Sequence, residues 1–452
     1  MTSELHTPAL SRRAILGTSA ALGVGLPLAG LGASSAAADT RGGSGGRHPQ
    51  SVKAAVRFLQ AATDAYRPSG FRLAQSYQDA SGLGDIAFIY DNALTTIALL
   101  AVGDVKRARA IGDALLYAQT HDAEFTDYRL RQAYHADGFV DAAGVAVSGY
   151  QFGLVGTAVG DMSWTGLALA QLAKATKKQT YLTGALRIGT WIFDNTYSTT
   201  GLGGYTFGET AGLEDHKSSE HNIDVYALFR LLASLTGDAT WTTRANHAWD
   251  FVKAVWNAED GFFWTGSDDG AAINKAPQQL PLDVQTWGWL AARKSAYAGA
   301  LDWASTNLAT TDTPLRPNST LTGNYSVSGV GFASGTFRTD TDVPIGGQSY
   351  NPKPDDGGVW FEGTGQLALA LRDRNRRADA SRIAELLANI RSAQANLGQG
   401  QTFGGKPAPG GIVAASSPID TGFGFGYFPN LHTAATSWYV FAATNTNPYR
   451  FI

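Results

Sequence analysis

Four acidic side chains stand at the starts of apolar stretches of this sequence, where a carboxyl group could carry out proton chemistry. They are Asp91, Glu220, Asp283 and Glu362. Two carboxyl groups can hydrolyse a glycosidic bond when one protonates the leaving oxygen and the other acts as base or nucleophile. The two glutamates have the longer side chains and could reach a bridging oxygen. The sequence therefore predicts Glu220 and Glu362 as the first catalytic pair, and Asp91 and Asp283 as the second.

The residues around each acid bear on its protonation. Trp360 and Phe361 precede Glu362, and burial beside aromatic rings raises the pKa of a carboxyl group. We therefore expect Glu362 to be the protonated acid and Glu220 the base, an assignment that the surrounding loops could reverse. For any one of these acids a helix cap is the simpler explanation, but four such acids at equivalent places favour catalysis. Asp224, one turn beyond Glu220, is expected to support His221 or a loop residue.

Polar and aromatic residues near the acids are the predicted contacts of a saccharide. His221 lies between Glu220 and Asn222, where it could bind a hydroxyl group, act as an acid or base, or be a buried structural histidine. Trp164 and Trp360 are expected to lie against sugar rings, because an aromatic face suits the C–H face of a sugar. The predicted substrate-binding residues are His221, Asn222, Asn92, Trp164, Gln285, Trp287, Tyr350, Trp360 and His432.

These residues belong to two alternating kinds of helical segment. Six segments are apolar nearly all round, which is typical of helices buried on every side, and they span 90–100, 163–172, 220–235, 283–292, 361–371 and 433–443. Six others are amphipathic, and they span 51–66, 104–119, 178–193, 239–256, 293–308 and 377–393. The spacing indicates a repeat of paired helices.

The alternation predicts an all-α (α/α)6 toroid. An inner ring of six apolar helices needs cover on every side, and an outer ring of six amphipathic helices supplies it. An open solenoid of helix pairs is the alternative, and the uneven repeat lengths weigh against it. The outer-to-inner connections are long and rich in glycine and aromatic residues. They should therefore gather on one face, at the N-termini of the inner helices, where loops on a rigid scaffold carry function.

The chain resembles the (α/α)6-barrel superfamily of carbohydrate-active enzymes over about residues 50–445. The resemblance rests on the six-fold alternation and on the motifs YDNAL at 90–94, SEHNIDVY at 219–226, LDVQTWGW at 282–289 and WFEGTGQLAL at 360–369. It implies a glycoside hydrolase, a polysaccharide lyase or a sugar epimerase. Acid-rich, cation-poor motifs favour a hydrolase with a neutral poly- or oligosaccharide substrate. An epimerase would need paired histidines, for which His221 and His432 are candidates, and a carbohydrate-binding protein would not need Glu220 or Glu362.

The N-terminus predicts export. Arg12 and Arg13 precede an apolar run to Leu31 and a small-residue cleavage site at 36–38, as in a twin-arginine signal peptide. An ordinary secretory signal is the alternative. We expect a signal peptide at 1–38, a flexible linker at 39–49 and a catalytic domain at 50–452, secreted to the periplasm or the extracellular space. The chain has no cysteine, so no disulfide has to form after export.

Composition and motifs predict no cofactor and no further partner. The net charge is −3 and no basic stretch follows the leader, which argues against nucleic acid. The sequence contains no HExxH and no GxxxxGK[ST], and its GGSGG at 42–46 lies in the predicted flexible linker and is not a serine-hydrolase elbow, so it predicts neither a metal site nor a serine hydrolase nor a phosphate loop. No membrane association is expected after signal cleavage, and the sequence gives no oligomeric state.

Overall fold

A computed structural model of the chain describes residues 49–66, 70–149, 154–210, 212–275, 279–335, 353–423 and 425–452. The predicted signal peptide, most of the predicted linker and Tyr350 lie outside these ranges. The described part contains twelve α-helices, connected on one face by loops with short β-strands.

Six buried helices form the inner ring. They are α2 (Ile89–Ala101), α4 (Val159–Thr176), α6 (Ser219–Thr236), α8 (Leu282–Ala292), α10 (Phe361–Arg374) and α12 (Thr433–Thr444). Each packs against the next in chain order, and α12 packs against α2, so the ring is closed. Their residues are apolar on all sides because neighbours cover all sides. No helix in the described ranges combines the length and apolarity needed to cross a membrane.

Six amphipathic helices form the outer ring. They are α1 (Gln50–Thr63), α3 (Val105–Ala118), α5 (Gln179–Thr196), α7 (Ala239–Ala254), α9 (Gly299–Asn307) and α11 (Ala380–Asn396). The last five each pack on the inner helix that precedes them, and α1 packs on α12. The first outer helix thus pairs with the last inner helix and closes the toroid. The predicted (α/α)6 fold is confirmed.

The starts of two helices differ from the prediction by four residues or more. Helix α4 begins at Val159 rather than at Ser163, so Trp164 lies more than one turn inside it. Helix α9 begins at Gly299 rather than at Arg293. Arg293 takes a left-handed backbone conformation with φ of 51°, which ends α8, and a 3₁₀ turn over Ser295–Tyr297 follows.

Sixteen short strands lie in the described parts of the loops, where the sequence indicated none. They are β1 (Ile86–Phe88), β2 (Ala133–His135), β3 (Thr157–Ala158), β4 (Gly208–Glu209), β5 (Lys217–Ser218), β6 (Trp256–Asn257), β7 (Phe262–Phe263), β8 (Gly266–Ser267), β9 (Ala309–Asp312), β10 (Val327–Val330), β11 (Thr402–Phe403), β12 (Lys406–Pro407), β13 (Ile412–Val413), β14 (Ile419–Asp420), β15 (Gly426–Tyr427) and β16 (Leu431–His432). All pair as two-stranded antiparallel ladders: β1–β2, β3–β4, β5–β8, β6–β7, β9–β10, β11–β12, β13–β16 and β14–β15.

The loop face is interlocked with six-fold regularity. The residue before each inner helix forms an antiparallel bridge with the loop that leads to the next inner helix. The six bridges are Phe88–Ala133, Ala158–Gly208, Ser218–Gly266, Pro281–Ala333, Trp360–Ala415 and His432–Tyr77. The first N–H of each inner helix then donates to the carbonyl one residue earlier in that loop, at 2.9–3.1 Å. These bonds satisfy N–H groups that have no acceptor within the helix.

A second set of bonds ties each inner helix to its own preceding loop. The fourth residue of each helix accepts a backbone N–H, at 2.7–3.2 Å. The six pairs are Asn92 with Ala74, Met162 with Leu130, Asn222 with Tyr205, Gln285 with Phe263, Thr364 with Val330 and Thr436 with Ile412. We call these fourth residues the loop clamps. Together with the bridges they hold the loop face rigidly over the barrel axis.

Candidate active site

The second residue of every inner helix lies at the mouth of the barrel. Going round the ring, these residues are Tyr90, Gly160, Glu220, Asp283, Glu362 and Ala434. Alternate helices, α2, α6 and α10, contribute the tyrosine and the two glutamates. Both glutamates of the predicted first pair therefore occupy equivalent places in the fold.

Glu362 is held at the axis by two donors. The Tyr90 hydroxyl donates to Glu362 Oε1 at 2.5 Å, and Gln366 Nε2 donates to the same oxygen at 3.2 Å. The Tyr90 oxygen in turn accepts the indole N–H of Trp438 at 3.1 Å. Hydrogen bonds donated to a carboxylate stabilise its ionised form. The arrangement therefore favours an ionised Glu362, which is the reverse of the protonated acid expected from its aromatic neighbours in the sequence.

Three tryptophans form the floor of the site. Trp164, Trp287 and Trp438 are each the sixth residue of α4, α8 and α12, and their ring centroids lie 5.3–6.0 Å apart. A helical side chain leans toward the helix N-terminus over the residue four positions earlier. Those residues are Gly160, Asp283 and Ala434, and the space beside Gly160 is occupied by the His221 ring. The indoles of Trp164 and Trp287 are fully buried and contact each other, so neither ring presents an open face; the stacking of Trp164 on a sugar ring and the substrate contact of Trp287 stay predictions.

A small pocket brings Asp91, Glu362 and His432 together. Its remaining lining residues are aromatic: Tyr77, Phe88, Tyr90 and Tyr427. The pocket has a volume of about 20 Å³, and a water needs about 10–15 Å³ measured in this way. His432 stacks on Tyr77 with ring centroids 4.1 Å apart, and its Nε2 lies 3.4 Å from Asp91 Oδ2. Two predicted acids and the predicted histidine thus face space for about one water.

Glu220 lies above a second buried cluster. Asp224, one helical turn below it, accepts a hydrogen bond from the Tyr449 hydroxyl at 2.7 Å. Burial, with the charges of Asp224 and Glu220 and the nearby Tyr90, raises the pKa of Tyr449 well above its ordinary value. These groups therefore share one region of the axis. Asp224 was expected to support His221 or a loop residue, and the described hydrogen bond joins it to Tyr449, which lies beyond the last helix.

His221 and Asp283 are both enclosed by neighbouring residues. The His221 ring is tilted against Phe207 with centroids 4.4 Å apart, and a Cβ at Gly160 would come within 2.5 Å of His221 Cδ2. His221 thus fills the contact between α4 and α6. Asp283 is fully buried, and its Oδ1 accepts the N–H of Val284 at 2.8 Å.

Three predicted sugar ligands are loop clamps instead. Asn222 accepts the N–H of Tyr205 at 2.8 Å and donates to its carbonyl at 3.0 Å. Asn92 and Gln285 bind Ala74 and Phe263 in the same two-sided way. Amides whose two ends bind backbone hold a loop rather than a hydroxyl of a ligand. Their shared position, the fourth helical residue, was the signal in the sequence that could have identified them.

Trp360 is also a structural residue. Its side chain is fully buried, with its ring 4.7 Å from Phe332 and 5.8 Å from Tyr427 between centroids. It precedes α10 and forms the bridge to Ala415, so it lies within the interlocked loop layer. The prediction that it binds a sugar ring does not fit this burial.

The sequence reasoning missed several residues of this region. Asp161 is the third residue of α4 and is buried, but the late predicted start of α4 placed it outside the helix. Tyr90 directly precedes Asp91, and Gln366 lies one helical turn after Glu362, but neither was among the predicted site residues. Tyr449 lies beyond the last helix, and no local pattern marks it. Among the described residues, no three His, Cys, Asp or Glu side chains converge in a way that could hold a metal ion.

Known proteins resemble this chain in structure. No protein-family model and no curated protein matches the sequence. A family 76 glycoside hydrolase (mannosidase) from Bacteroides thetaiotaomicron VPI-5482 matches 88% of this chain and 98% of its own, with 14% identity and a TM-score of 0.51. A family 76 α-mannanase from Bacteroides thetaiotaomicron matches 88% and 96%, with 12% identity and a TM-score of 0.52. A glycosidase variant in complex with glucose matches 88% and 97%, with 11% identity and a TM-score of 0.54.

The chain shares the (α/α)6 fold of these enzymes. At 11–14% identity the likeness concerns the course of the chain, and it spans nearly the whole length of each neighbour. The likeness therefore shows the fold alone, and the chemistry has to be argued from the side chains of this protein.

Proposed function

We propose that this protein is a glycoside hydrolase with Glu220 and Glu362 as its catalytic pair. The observation that carries the proposal is the hydrogen bond from Tyr90 to Glu362 at the mouth of the barrel. It orients one carboxylate at the axis, and Glu220 has the equivalent position two inner helices away. Hydrolysis of a glycosidic bond needs two carboxyl groups, one as general acid and one as base or nucleophile.

The surroundings of the two glutamates assign their roles. Glu362 receives two hydrogen bonds on one oxygen, which favour the carboxylate and suit a base. Both glutamates are buried, Glu362 the more deeply, so burial does not separate their roles. The difference is that Asp224 lies one turn below Glu220 on the same face of α6, and a neighbouring carboxylate favours the protonated form. Glu220 is therefore the general acid that protonates the leaving oxygen.

The pocket beside Glu362 supports an inverting reaction. It has space for about one water between Glu362 and the Asp91–His432 pair. In an inverting enzyme the base activates a water that attacks the anomeric carbon from the face opposite the leaving group. Asp91 and His432 would orient this water, and Asp283 remains the other member of the second carboxylate pair.

The proposed substrate is a neutral poly- or oligosaccharide. The pocket has space for about one water and not for a sugar ring, so its carboxyl and imidazole groups would meet a single hydroxyl group or the attacking water, and its described lining includes no lysine or arginine to pair with a charged sugar. Two structural neighbours are named as a mannosidase and an α-mannanase, and a third was solved with glucose. Mannans and glucans are therefore the first substrates to test.

The decisive assay is a panel of mannans, glucans and uronate-containing polysaccharides. Reducing ends and the absorbance of unsaturated products are both measured for the purified protein. Hydrolysis releases reducing ends without new absorbance, whereas a lyase produces both. Absorbance on a uronate polymer, or no reducing ends on any polymer, would overturn the proposal. Proton NMR of the first-released sugar then tests for inversion at the anomeric carbon.

We further propose that the enzyme is exported. The paired arginines, the apolar run and the small-residue site support a twin-arginine signal peptide at 1–38. The linker at 39–49 would then precede a catalytic domain at 50–452. A polymeric substrate outside the cell fits this location.

A further inference from the structure

The last residues of the chain cross the end of the barrel opposite the loop face. We call residues 446–452 the C-terminal strap. Asn447 Nδ2 donates to the carbonyl of Leu290 near the end of α8, at 2.9 Å. Gln171 of α4 donates to the carbonyls of Pro448 and Arg450, and its Oε1 accepts the N–H of Ile452 at 3.3 Å. The strap therefore ties together helices from different parts of the inner ring.

One strap residue enters the barrel. Tyr449 is almost completely buried, and its ring centroid lies 4.8 Å from that of Trp164 and 6.1 Å from that of Trp287. Its hydroxyl donates to Asp224 Oδ1 at 2.7 Å. Asn447 Oδ1 accepts the N–H of Tyr449 at 3.0 Å, which fixes the backbone at the point of entry. Tyr449 thus supports the tryptophan floor from below.

The contacts of Tyr449 lead to both glutamates. Asp224 is four residues after Glu220, so both side chains lie on one face of α6. On the other side, Trp164 and Trp287 contact the ring of Tyr90, with centroids 5.5 and 6.1 Å away. Tyr90 is the residue that donates to Glu362. Tyr449 therefore contacts residues next to both proposed catalytic groups: Asp224 lies one turn from Glu220, and Trp164 and Trp287 contact Tyr90, which binds Glu362.

We propose that Tyr449 is a positioning residue of the active site, supplied by the C-terminal strap. Its hydroxyl donates a hydrogen bond that fixes Asp224, one turn below Glu220. Its ring packs against Trp164 and Trp287, the two tryptophans of the floor that contact Tyr90. The inference rests on the proposed hydrolase function. It adds that the end of the chain, remote in sequence from both glutamates, sets the geometry in which they work.

The chain offers a matched control for a test. Tyr439 of α12 is also buried, and its hydroxyl donates to a single side-chain oxygen, Ser51 Oγ of α1, at the same 2.7 Å. That bond lies between the inner and outer rings, away from the axis. Tyr449→Phe and Tyr439→Phe each remove one buried hydroxyl, and only the first of them is at the floor of the site.

The kinetic test compares these two variants with the wild-type enzyme on the substrate found in the panel. Loss of positioning lowers the rate of the chemical step more than it weakens binding. We expect Tyr449→Phe to lower kcat about tenfold or more with KM changed less than about threefold. Tyr439→Phe should stay within about twofold of wild type. Equal kcat values for the two variants would overturn the proposal.

A second test does not depend on activity. Thermal unfolding is measured for Tyr449→Phe, Asp224→Ala, which removes the acceptor, and the double variant of the full chain. If the two groups act through their hydrogen bond, the double variant loses less than the sum of the single losses. Strictly additive losses overturn the link between Tyr449 and Asp224. A wild-type protein that is inert on the whole panel overturns the hydrolase proposal and the positioning role with it, while the cycle still decides whether the link exists.

Discussion

Tyr90 and Glu362 belong to inner helices that are not neighbours in the ring, yet the hydroxyl of one donates to the carboxylate of the other at 2.5 Å. Helix α12 lies between α2 and α10 and supplies the indole N–H that the same hydroxyl oxygen accepts. Short hydrogen bonds to a charged group are stronger than neutral ones. The bond therefore links three inner helices at the mouth of the barrel and sets the orientation of one proposed catalytic group.

Tyr90→Phe should impair the base. A hydrogen bond to a charged group contributes about 1.5–3 kcal/mol, so the loss of this donor should lower kcat/KM about 10- to 150-fold. Because the donor favours the ionised carboxylate, the acidic limb of the pH–rate profile should move to higher pH. The control is Tyr181→Phe, which removes a hydroxyl bonded to Asp113 at 2.7 Å in the outer ring. A Tyr90→Phe enzyme with the profile and rate of the control would contradict the assignment.

Glu220→Gln and Glu362→Gln should each keep the fold and lose most of the turnover. General acid–base catalysis commonly contributes about 10²–10⁴ in rate, so each variant should fall at least about a hundredfold on the polymer. Activity on aryl glycosides with a good leaving group distinguishes the acid from the base, because such substrates need little protonation of the leaving oxygen. Glu220→Gln should retain activity on these, and Glu362→Gln should not.

One result would show that Glu220 and Glu362 are not the catalytic pair. If both Gln variants kept near wild-type turnover on the polymer while Asp91→Asn or Asp283→Asn abolished it, the second pair would carry the reaction. Circular dichroism and thermal unfolding of all four variants provide the check that each one is folded.

Asn222→Ala should affect stability rather than sugar binding. The variant leaves the N–H and carbonyl of Tyr205 without the amide that pairs with both. An unsatisfied buried polar group costs about 1–3 kcal/mol, so the melting temperature should fall clearly while KM stays near that of wild type. Asn195→Ala, which removes a single bond to the carbonyl of Trp191, should cost less. A raised KM with unchanged stability would restore the sugar-ligand interpretation.

Export should remove the leader. The sequence predicts cleavage after Ala38, so intact mass spectrometry of the protein from the culture medium or periplasm should show a chain that begins at Asp39. Replacement of Arg12 and Arg13 by lysine should block export through a twin-arginine route and leave an ordinary secretory signal working. Exported protein that retains Met1 to Ala38 would refute the prediction.

The sequence by itself determined the architecture of this protein. A helix that is apolar on all sides is stable only when it is covered on all sides, and an amphipathic helix covers one neighbour. Six apolar helices alternate strictly with six amphipathic helices along the chain. A closed double ring is the arrangement that buries the apolar faces of all of them. The same local rule placed Glu220, Asp283 and Glu362 in the first turns of inner helices, because helix periodicity can be read over a few residues.

The roles of individual side chains were decided only by the tertiary structure. The bonds that define the site join residues 272, 348 and 225 positions apart: Tyr90 to Glu362, Trp438 to Tyr90 and Tyr449 to Asp224. Such partners meet only after the ring has closed, so no spacing along the chain reveals them. The same holds for Asn222. Its position in the sequence suggested a sugar ligand, but in the structure both ends of its amide bind the backbone of Tyr205, in the loop before its helix.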